Sequence, residues 1–491
     1  MPRDKADSVA RGATSIGMGR VIATLLSFAL MIVITRRSEG DVGVFRTLVT
    51  FLIVAETLPL LGTHRWVATQ MAADIDDRGR LFASAMAWSI FASVFLAVLY
   101  SVLSFSKTYG IQVSRGLLYV ALATVPSGAL LVEQAALVGI GRSGALGRLN
   151  GGESLARFLA GVALILHGSD IVTLIACFAA IRWITSFAGK LMVTREIGRI
   201  PWDQALTQLG RIRDLVPNLA GALICATIVR NAPLMILPAR SSNAEAGYFA
   251  VSLQLTDFAM LAPTVFVMSS TFSMSRYYDS PRGLRRTMGA MFALLAFALL
   301  PVVGLTCVLA APLLDLLFGA RMQLGTVAFQ VMLLSVPFMA ADQVMSQVMV
   351  SIGHYRQDFA SSASAALTIC VVTLSLSAAL GALAAALANL SAFIVVLVVR
   401  VYALNRLKIS KLLLSTLWRP LTAAVISTLV VLVSIRTIRS DLDQRWQLFW
   451  AAPGVALYGL ILWALGGLGH RARRRVLNFI GYHNGRSRDA M

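Results

Sequence analysis

The sequence predicts an all-α polytopic membrane protein of about fourteen transmembrane helices, set out as two repeat-related six-helix lobes plus two extra C-terminal helices. Three observations carry that prediction. Of 491 residues, 57% are hydrophobic and only 13% charged, a balance that no water-soluble fold can cover with polar surface. Apolar runs of roughly twenty residues recur along the whole chain, the length a helix needs to cross hydrocarbon, and the alternating short strands of a membrane barrel are missing. Finally, one stretch is used twice. Leu30-Met31-Ile32-Val33-Ile34-Thr35-Arg36-Arg37-Ser38-Glu39-Gly40-Asp41-Val42-Gly43-Val44-Phe45 returns, altered but without a gap, as Leu234-Met235-Ile236-Leu237-Pro238-Ala239-Arg240-Ser241-Ser242-Asn243-Ala244-Glu245-Ala246-Gly247-Tyr248-Phe249, an offset of 204 residues (245 − 41). The offset holds from Pro59 to Pro263 and from Arg78-Gly79 to Arg282-Gly283, and becomes 211 (336 − 125) between Val125-Pro126 and Val336-Pro337, where a loop has lengthened. A repeat of about two hundred residues is too long for a solenoid and is the mark of membrane transporters built from two related halves.

Taken in order, the spans are expected at 14–35, 44–64, 82–105, 116–139, 153–167, 170–192, 214–237, 246–273, 288–311, 324–350, 359–378, 380–400, 413–434 and 446–467. The first apolar run is followed by Arg36-Arg37 and not by a small-residue cleavage site, so it is expected to be retained as the first span. The repeat groups residues 1–200 as an N-terminal lobe and 201–405 as its partner; 406–469 holds the two leftover spans and 470–491 a basic tail. With the N-terminus in the cytosol, most Lys and Arg fall on the cytosolic side, in connections such as Lys190, Arg195, Arg199, Arg211 and Arg213, then Arg276, Arg282, Arg285 and Arg286, then Arg406, Lys408 and Lys411. That asymmetry orients the chain with both termini cytosolic and fits contact with anionic phospholipids. The run His470-Arg471-Ala472-Arg473-Arg474-Arg475, leading into Val476-Leu477-Asn478-Phe479-Ile480, reads as a basic amphipathic segment lying on the inner leaflet.

Other classes are disfavoured. The net charge of +20 suggests nucleic acid at first sight, but the basic residues are spread among short loops without interleaved aromatics, so membrane topology explains them and no nucleic-acid partner is expected. Cys177, Cys225, Cys307 and Cys370 sit in apolar runs without metal-ligand spacing and read as packing; no metal site is expected. No Walker lysine, HExxH, nucleophile elbow or glycosidase carboxylate pair is present, and the chain is not expected to be an enzyme.

Chemistry is then sought among ionisable residues at mid-membrane depth, each costing on the order of several kcal/mol unless it faces water or a partner. The cations are Arg20, Arg157, Arg182 and Arg230; the acids are Glu56, Glu133, Asp257 and Asp342. Spans two and eight are repeat mates, as are four and ten, and each of these four carries one acid and one matched proline: Glu56 with Pro59, Asp257 with Pro263, Glu133 with Pro126, and Asp342 with Pro337. A proline frees a carbonyl and bends the helix, as suits a span that flexes or lines water. Relative to the prolines, Glu56 and Asp257 share a face, whereas Glu133 and Asp342 differ by about 200° of rotation. Arg20, Arg230 and Arg182 are candidates for a cationic lining that binds an anionic substrate, arginine's planar fork matching paired phosphate oxygens. The competing role is neutralisation of a neighbouring acid, for instance Arg20 with Glu56. Arg157, four residues after Glu153, is expected in an i,i+4 ion pair or snorkelling to an interface. For Glu56, Asp257, Glu133 and Asp342 the choice lies between H+ or Na+ coupling, or gating, and helix-to-helix hydrogen bonding.

The opening Val9-Ala10-Arg11-Gly12-Ala13, the loop Thr35-Arg36-Arg37-Ser38-Glu39-Gly40-Asp41-Val42-Gly43-Val44-Phe45 and the fourth-span exit Leu137-Val138-Gly139-Ile140-Gly141-Arg142 resemble the polysaccharide and O-antigen (Wzx-type) flippases of the multidrug/oligosaccharidyl-lipid/polysaccharide (MOP) exporter superfamily. The resemblance implies a V-shaped pair of six-helix lobes that rock between inward-open and outward-open states. It also implies, as cargo, sugars on an undecaprenyl-pyrophosphate carrier, moved across the bacterial inner membrane alongside other polysaccharide assembly proteins. In the related lipid II flippases the surplus spans form a groove for the lipid tail, but their arginine-rich first span is reduced here to Arg20, which favours an exopolysaccharide or O-antigen unit over a peptidoglycan precursor. A cation-coupled multidrug exporter of the same superfamily is the alternative. A membrane glycan polymerase or glycosyltransferase, which needs a large external loop, and a non-transporting scaffold are lesser ones.

Overall fold

The structure, a computed structural model, describes residues 22–464 apart from 37–38, 74–76, 107, 207–208, 265, 268–280, 353, 405–408, 439–446 and 448. Arg20, the 9–13 opening, Arg276, Arg406, Lys408 and the 470–491 tail therefore lie outside the described residues. Among those described, helix is the dominant structure and no strand occurs, as the predicted class requires. The helices are α1 (Ile22–Thr35), α2 (Glu39–Thr57), α3 (His64–Ala73), α4 (Arg78–Phe105), α5 (Ile111–Gly139), α6 (Ser143–Leu166), α7 (Ile171–Ile197), α8 (Leu209–Arg240), α9 (Asn243–Ala259), α10 (Pro281–Val308), α11 (Ala310–Phe318), α12 (Thr326–Ser351), α13 (Tyr355–Leu380), α14 (Ala382–Ala403), α15 (Ile409–Ile438) and α16 (Ala451–Ala464).

Each expected span overlaps one of these helices; the short α3 and α11 fall outside that set. Ten helices are long and apolar enough, by length and composition, to cross a membrane, and α1 and α16 are apolar but shorter over the described residues. The remaining two have local reasons for missing the count. In its 19 residues α2 carries Asp41, Arg46 and Glu56, and α9 is 17 residues long. Many large side chains on the outer surfaces are apolar and exposed, Phe91, Phe95, Phe187 and Trp463 among them. That is the pattern of helices solvated by lipid, where association rests on close packing and interhelical hydrogen bonds.

The chain divides into two compact units, residues Met1–Ala250 with Thr373–Gly381, and Val251–Val372 with Ala382–Met491. In the first, α5 packs against both α4 and α7, and a core of Val67, Met71, Phe82, Met86, Leu130, Leu137 and Val193 joins α3, α4, α5 and α7. In the second, α12 packs on α14, and α10 packs on α15 and α16. The two surplus helices dock where α10 and α16 are thin: Gly304 leaves room for the Thr428 hydroxyl, and Gly454 for Leu305 and Val431. Tyr458 and Leu462 complete this seam with Ala423 and Ala424.

Prolines inside spans leave the carbonyl four residues earlier without its amide donor, and in lipid such a group must find another. Three of these carbonyls do. Pro126 in α5 frees Leu122, whose oxygen accepts from the Trp183 indole of α7 at 3.2 Å. Pro238 in α8 frees Leu234, which accepts from the Thr47 hydroxyl of α2 at 3.3 Å. Pro301 in α10 frees Phe297, which accepts from the Tyr458 hydroxyl of α16 at 3.3 Å. Each bend is thus tied to a neighbouring helix of the same unit.

Candidate functional site

In the first unit the buried charges converge. Arg182, midway along α7, is ion-paired with Glu56 of α2 and reaches Glu153 of α6 through Nε at 3.2 Å and through Nη1, which donates to Oε2 at 3.3 Å. One turn beyond Glu153 on the same face of α6, Arg157 approaches Glu153 Oε1 at 2.7 Å and Glu56 Oε1 at 3.7 Å. Its guanidinium lies 5.5 Å from the centre of the Phe178 ring, and Phe178 in turn meets Phe45 edge-on at 6.1 Å. Two arginines and two glutamates form a quartet of zero net charge, which is how four ionised groups are held away from water without a large penalty.

The quartet has a closed and an open side. Arg182 and Glu153 are 6% and 8% exposed, whereas Glu56 is 30% and Arg157 21% exposed, so an incoming solute meets Glu56 and Arg157 first. Glu153 sits beneath them, fixing both guanidiniums. The expected Arg157–Glu153 pair is present, and Glu56, for which Arg20 was the sequence candidate, is held by Arg182 and Arg157.

The second unit has its own charged hub, centred on Arg400 near the end of α14. Arg400 reaches Asp342 Oδ1 of α12 at 2.8 Å and Asp358 Oδ1 of α13 at 2.9 Å. It also donates to the Asp342 carbonyl at 2.7 Å and to the hydroxyl oxygen of Ser361 at 3.0 Å. Ser346 donates to Asp358 Oδ1 at 3.0 Å. Two carboxylates share one guanidinium here, whereas the first unit balances its charges.

Glu133 of α5 is 1% exposed. It accepts from the Ser186 hydroxyl of α7 at 3.3 Å, and its other carboxylate oxygen presses against Gly189, where a side chain would have no room. Despite their different rotation about the prolines, Glu133 and Asp342 both meet the sixth span of their own repeat. The long Arg400 side chain covers the difference in register. Arg230 is exposed on α8 and Asp257 partly buried on α9.

Glu153, Asp358 and Arg400 were not among the sequence candidates. All three lie at or near predicted span ends, where a charge is ordinarily read as snorkelling. The four cysteines are free thiols, and among the described residues no cluster of His, Cys, Asp and Glu has the makings of a metal site.

A family model described as "Polysaccharide biosynthesis protein" matches residues 38–327, more than half of the chain. No curated protein sequence matches. Among solved structures, the lipid II flippase MurJ in an inward closed conformation superposes with a TM-score of 0.76 at 11% identity, over 92% of this chain and 98% of that one. An inward-facing multidrug resistance MATE family transporter of the MOP superfamily gives 0.61 at 13% identity, over 79% and 95%. A MOP superfamily transporter from Pyrococcus furiosus, described as having a binding pocket of reverse polarity that suggests a different function, gives 0.55 at 14% identity, over 82% and 96%. At such identities these likenesses speak to the fold alone.

Proposed function

The chain belongs to the polysaccharide biosynthesis protein family and is a multi-pass membrane protein with the MOP-superfamily fold, and from that premise we propose that it is a flippase for lipid-linked oligosaccharide. The cargo is an undecaprenyl-pyrophosphate-linked repeat unit of an exopolysaccharide or O-antigen. It moves across the bacterial inner membrane by alternating access, both termini staying in the cytosol.

The observation that carries this reading is the quartet, with two guanidiniums side by side behind an accessible carboxylate. A pyrophosphate offers the same paired oxygens as a carboxylate and more charge, so it competes with Glu56 for Arg182 and Arg157 while Glu153 keeps both forks in place. The exchange leaves neither guanidinium unpaired, which limits the desolvation cost of binding. Glu56, once displaced, takes a proton or Na+ or turns to water, and this links occupancy to an ion. Arg20 and Arg230 assist in binding the anionic headgroup, and Glu133, Asp257 and Asp342 act in coupling or gating. The sugars cross through the aqueous interior while the lipid tail stays in the bilayer, and other polysaccharide assembly proteins deliver and receive the cargo. The MATE-like fold keeps a cation-coupled multidrug exporter as the competing function.

The test is flipping of a fluorescent undecaprenyl-pyrophosphate oligosaccharide in proteoliposomes. Native protein is expected to flip it, Arg157→Ala and Arg182→Ala to lose on the order of 10–100-fold in rate, as when one charge-assisted contact to a phosphate is removed, and Arg20→Ala and Arg230→Ala to lose less. Export of small organic cations, with no binding or flipping of the lipid, would overturn the proposal in favour of the exporter.

A further inference from the structure

Beside the quartet, α5 and α6 carry a pair of amides that the headgroup site leaves unused. Gln134 Nε2 of α5 donates to Asn150 Oδ1 of α6 at 3.0 Å, and both side chains are half-buried. A primary amide has one acceptor oxygen and two N–H donors. The mutual bond takes a donor of Gln134 and the acceptor of Asn150, and so fixes which way each amide points. Gln134 Oε1 and Asn150 Nδ2 are left over. Neither atom is sealed from solvent, and among the described residues neither has a hydrogen-bond partner.

The pair stands in line with the quartet. Asn150, Glu153 and Arg157 follow one another at intervals of three and four on α6, which puts them on one face. Asn150 is about one turn from Glu153 and about 10 Å along the axis from Arg157. Beside Asn150 the flank of α6 is bare, since a side chain at Gly144 or Gly151 would meet nothing within 4 Å. The short turn between the end of α5 at Gly139 and the start of α6 at Ser143 faces the cytosol in the orientation proposed above. The amides therefore lie on the cytosolic side of the two guanidiniums. That is where the sugars on a pyrophosphate held by Arg157 and Arg182 have to lie before they cross.

We propose that Gln134 and Asn150 form a sugar subsite that reads the residue attached to the pyrophosphate. An exposed acceptor beside an exposed donor matches the neighbouring hydroxyls of a sugar ring, since a hydroxyl both donates and accepts. Fastening α5 to α6 takes only the bond between the two amides. Their outward oxygen and nitrogen are what a ligand meets. The subsite rests on the headgroup site proposed above and adds the glycan end of the cargo to it.

The experiment measures the affinity of the full chain in detergent for undecaprenyl pyrophosphate and for undecaprenyl pyrophosphate carrying a single glucose. It compares the native chain with Asn150→Ala and with Gln134→Met combined with Asn150→Leu. The double replacement puts apolar groups of similar shape on both sides of the seam and leaves no partner orphaned. The native chain is expected to bind the glucose-bearing lipid about ten-fold more tightly, as two neutral hydrogen bonds give. Both variants are expected to lose that preference while binding the sugar-free lipid within about two-fold of native, because the lost bonds are to the sugar. Equal affinity of the native chain for the two lipids overturns the sugar subsite and leaves the headgroup site standing, as does a preference that survives in both variants. Parallel weakening of both lipids in the variants also overturns it, the amides then serving only to hold α5 on α6. A native chain that binds neither lipid removes the headgroup site, and the subsite with it.

Discussion

At the residue scale, the members of the quartet differ in what their loss costs. Glu153 is buried and touches both arginines of the quartet, so Glu153→Ala leaves two guanidiniums short of a partner and is expected to cost about 3–5 kcal/mol. Glu56→Gln, at the open edge, is expected to cost no more than about 1 kcal/mol, because water screens what it loses. Chemical unfolding of both variants in detergent, against the native protein, checks the ranking. Glu56 and Arg182 were legible as singular intramembrane charges in the sequence; their pairing was not, because they lie on helices far apart in the chain. Glu153 and Arg400 escaped for another reason. Near a span end, hydropathy alone does not separate a charge that reaches water from one turned inward.

At the element scale, the proline bends show how sequence and packing divide the labour. Pro126, Pro238 and Pro301 announce freed carbonyls, but only the packed helices supply Trp183, Thr47 and Tyr458 as donors. Trp183→Phe keeps the ring against α5 and removes the donor, and is expected to cost about 1–3 kcal/mol, the penalty of a carbonyl left without a donor on a lipid-facing surface. In a Pro126→Ala background the Leu122 carbonyl regains an amide partner, so the same change is expected to cost much less there. The coupling energy of that double-mutant cycle, read from unfolding midpoints, isolates the bond. A cycle with no coupling would mean that the indole contributes packing alone. The C-terminal repeat mate of Trp183 at an offset of 211 (394 − 183) is Ile394, which has no donor to give Pro337's freed carbonyl, so the two repeats treat their matched prolines differently.

At the scale of the whole molecule, a ligand that binds only the folded protein stabilises it by mass action. Undecaprenyl pyrophosphate at about a hundred times its dissociation constant is expected to add roughly 2.7 kcal/mol, seen as a raised melting temperature in detergent. Arg157→Ala is expected to remove most of that gain, because Arg157 is the more exposed guanidinium of the quartet. Equal stabilisation of both proteins would place the headgroup elsewhere.

By itself the sequence determined the solvent, the helical class, the approximate spans and the two-copy plan. These follow from hydropathy summed over about twenty residues and from a match along one dimension, and neither depends on which helices touch. Tertiary structure alone decided which acid meets which arginine, which side chain donates to which proline-freed carbonyl, and why Gly304 and Gly454 are glycines. Those are contacts between helices remote in sequence, set by side-chain direction and by the closeness of two backbones, and no periodicity along the chain records them.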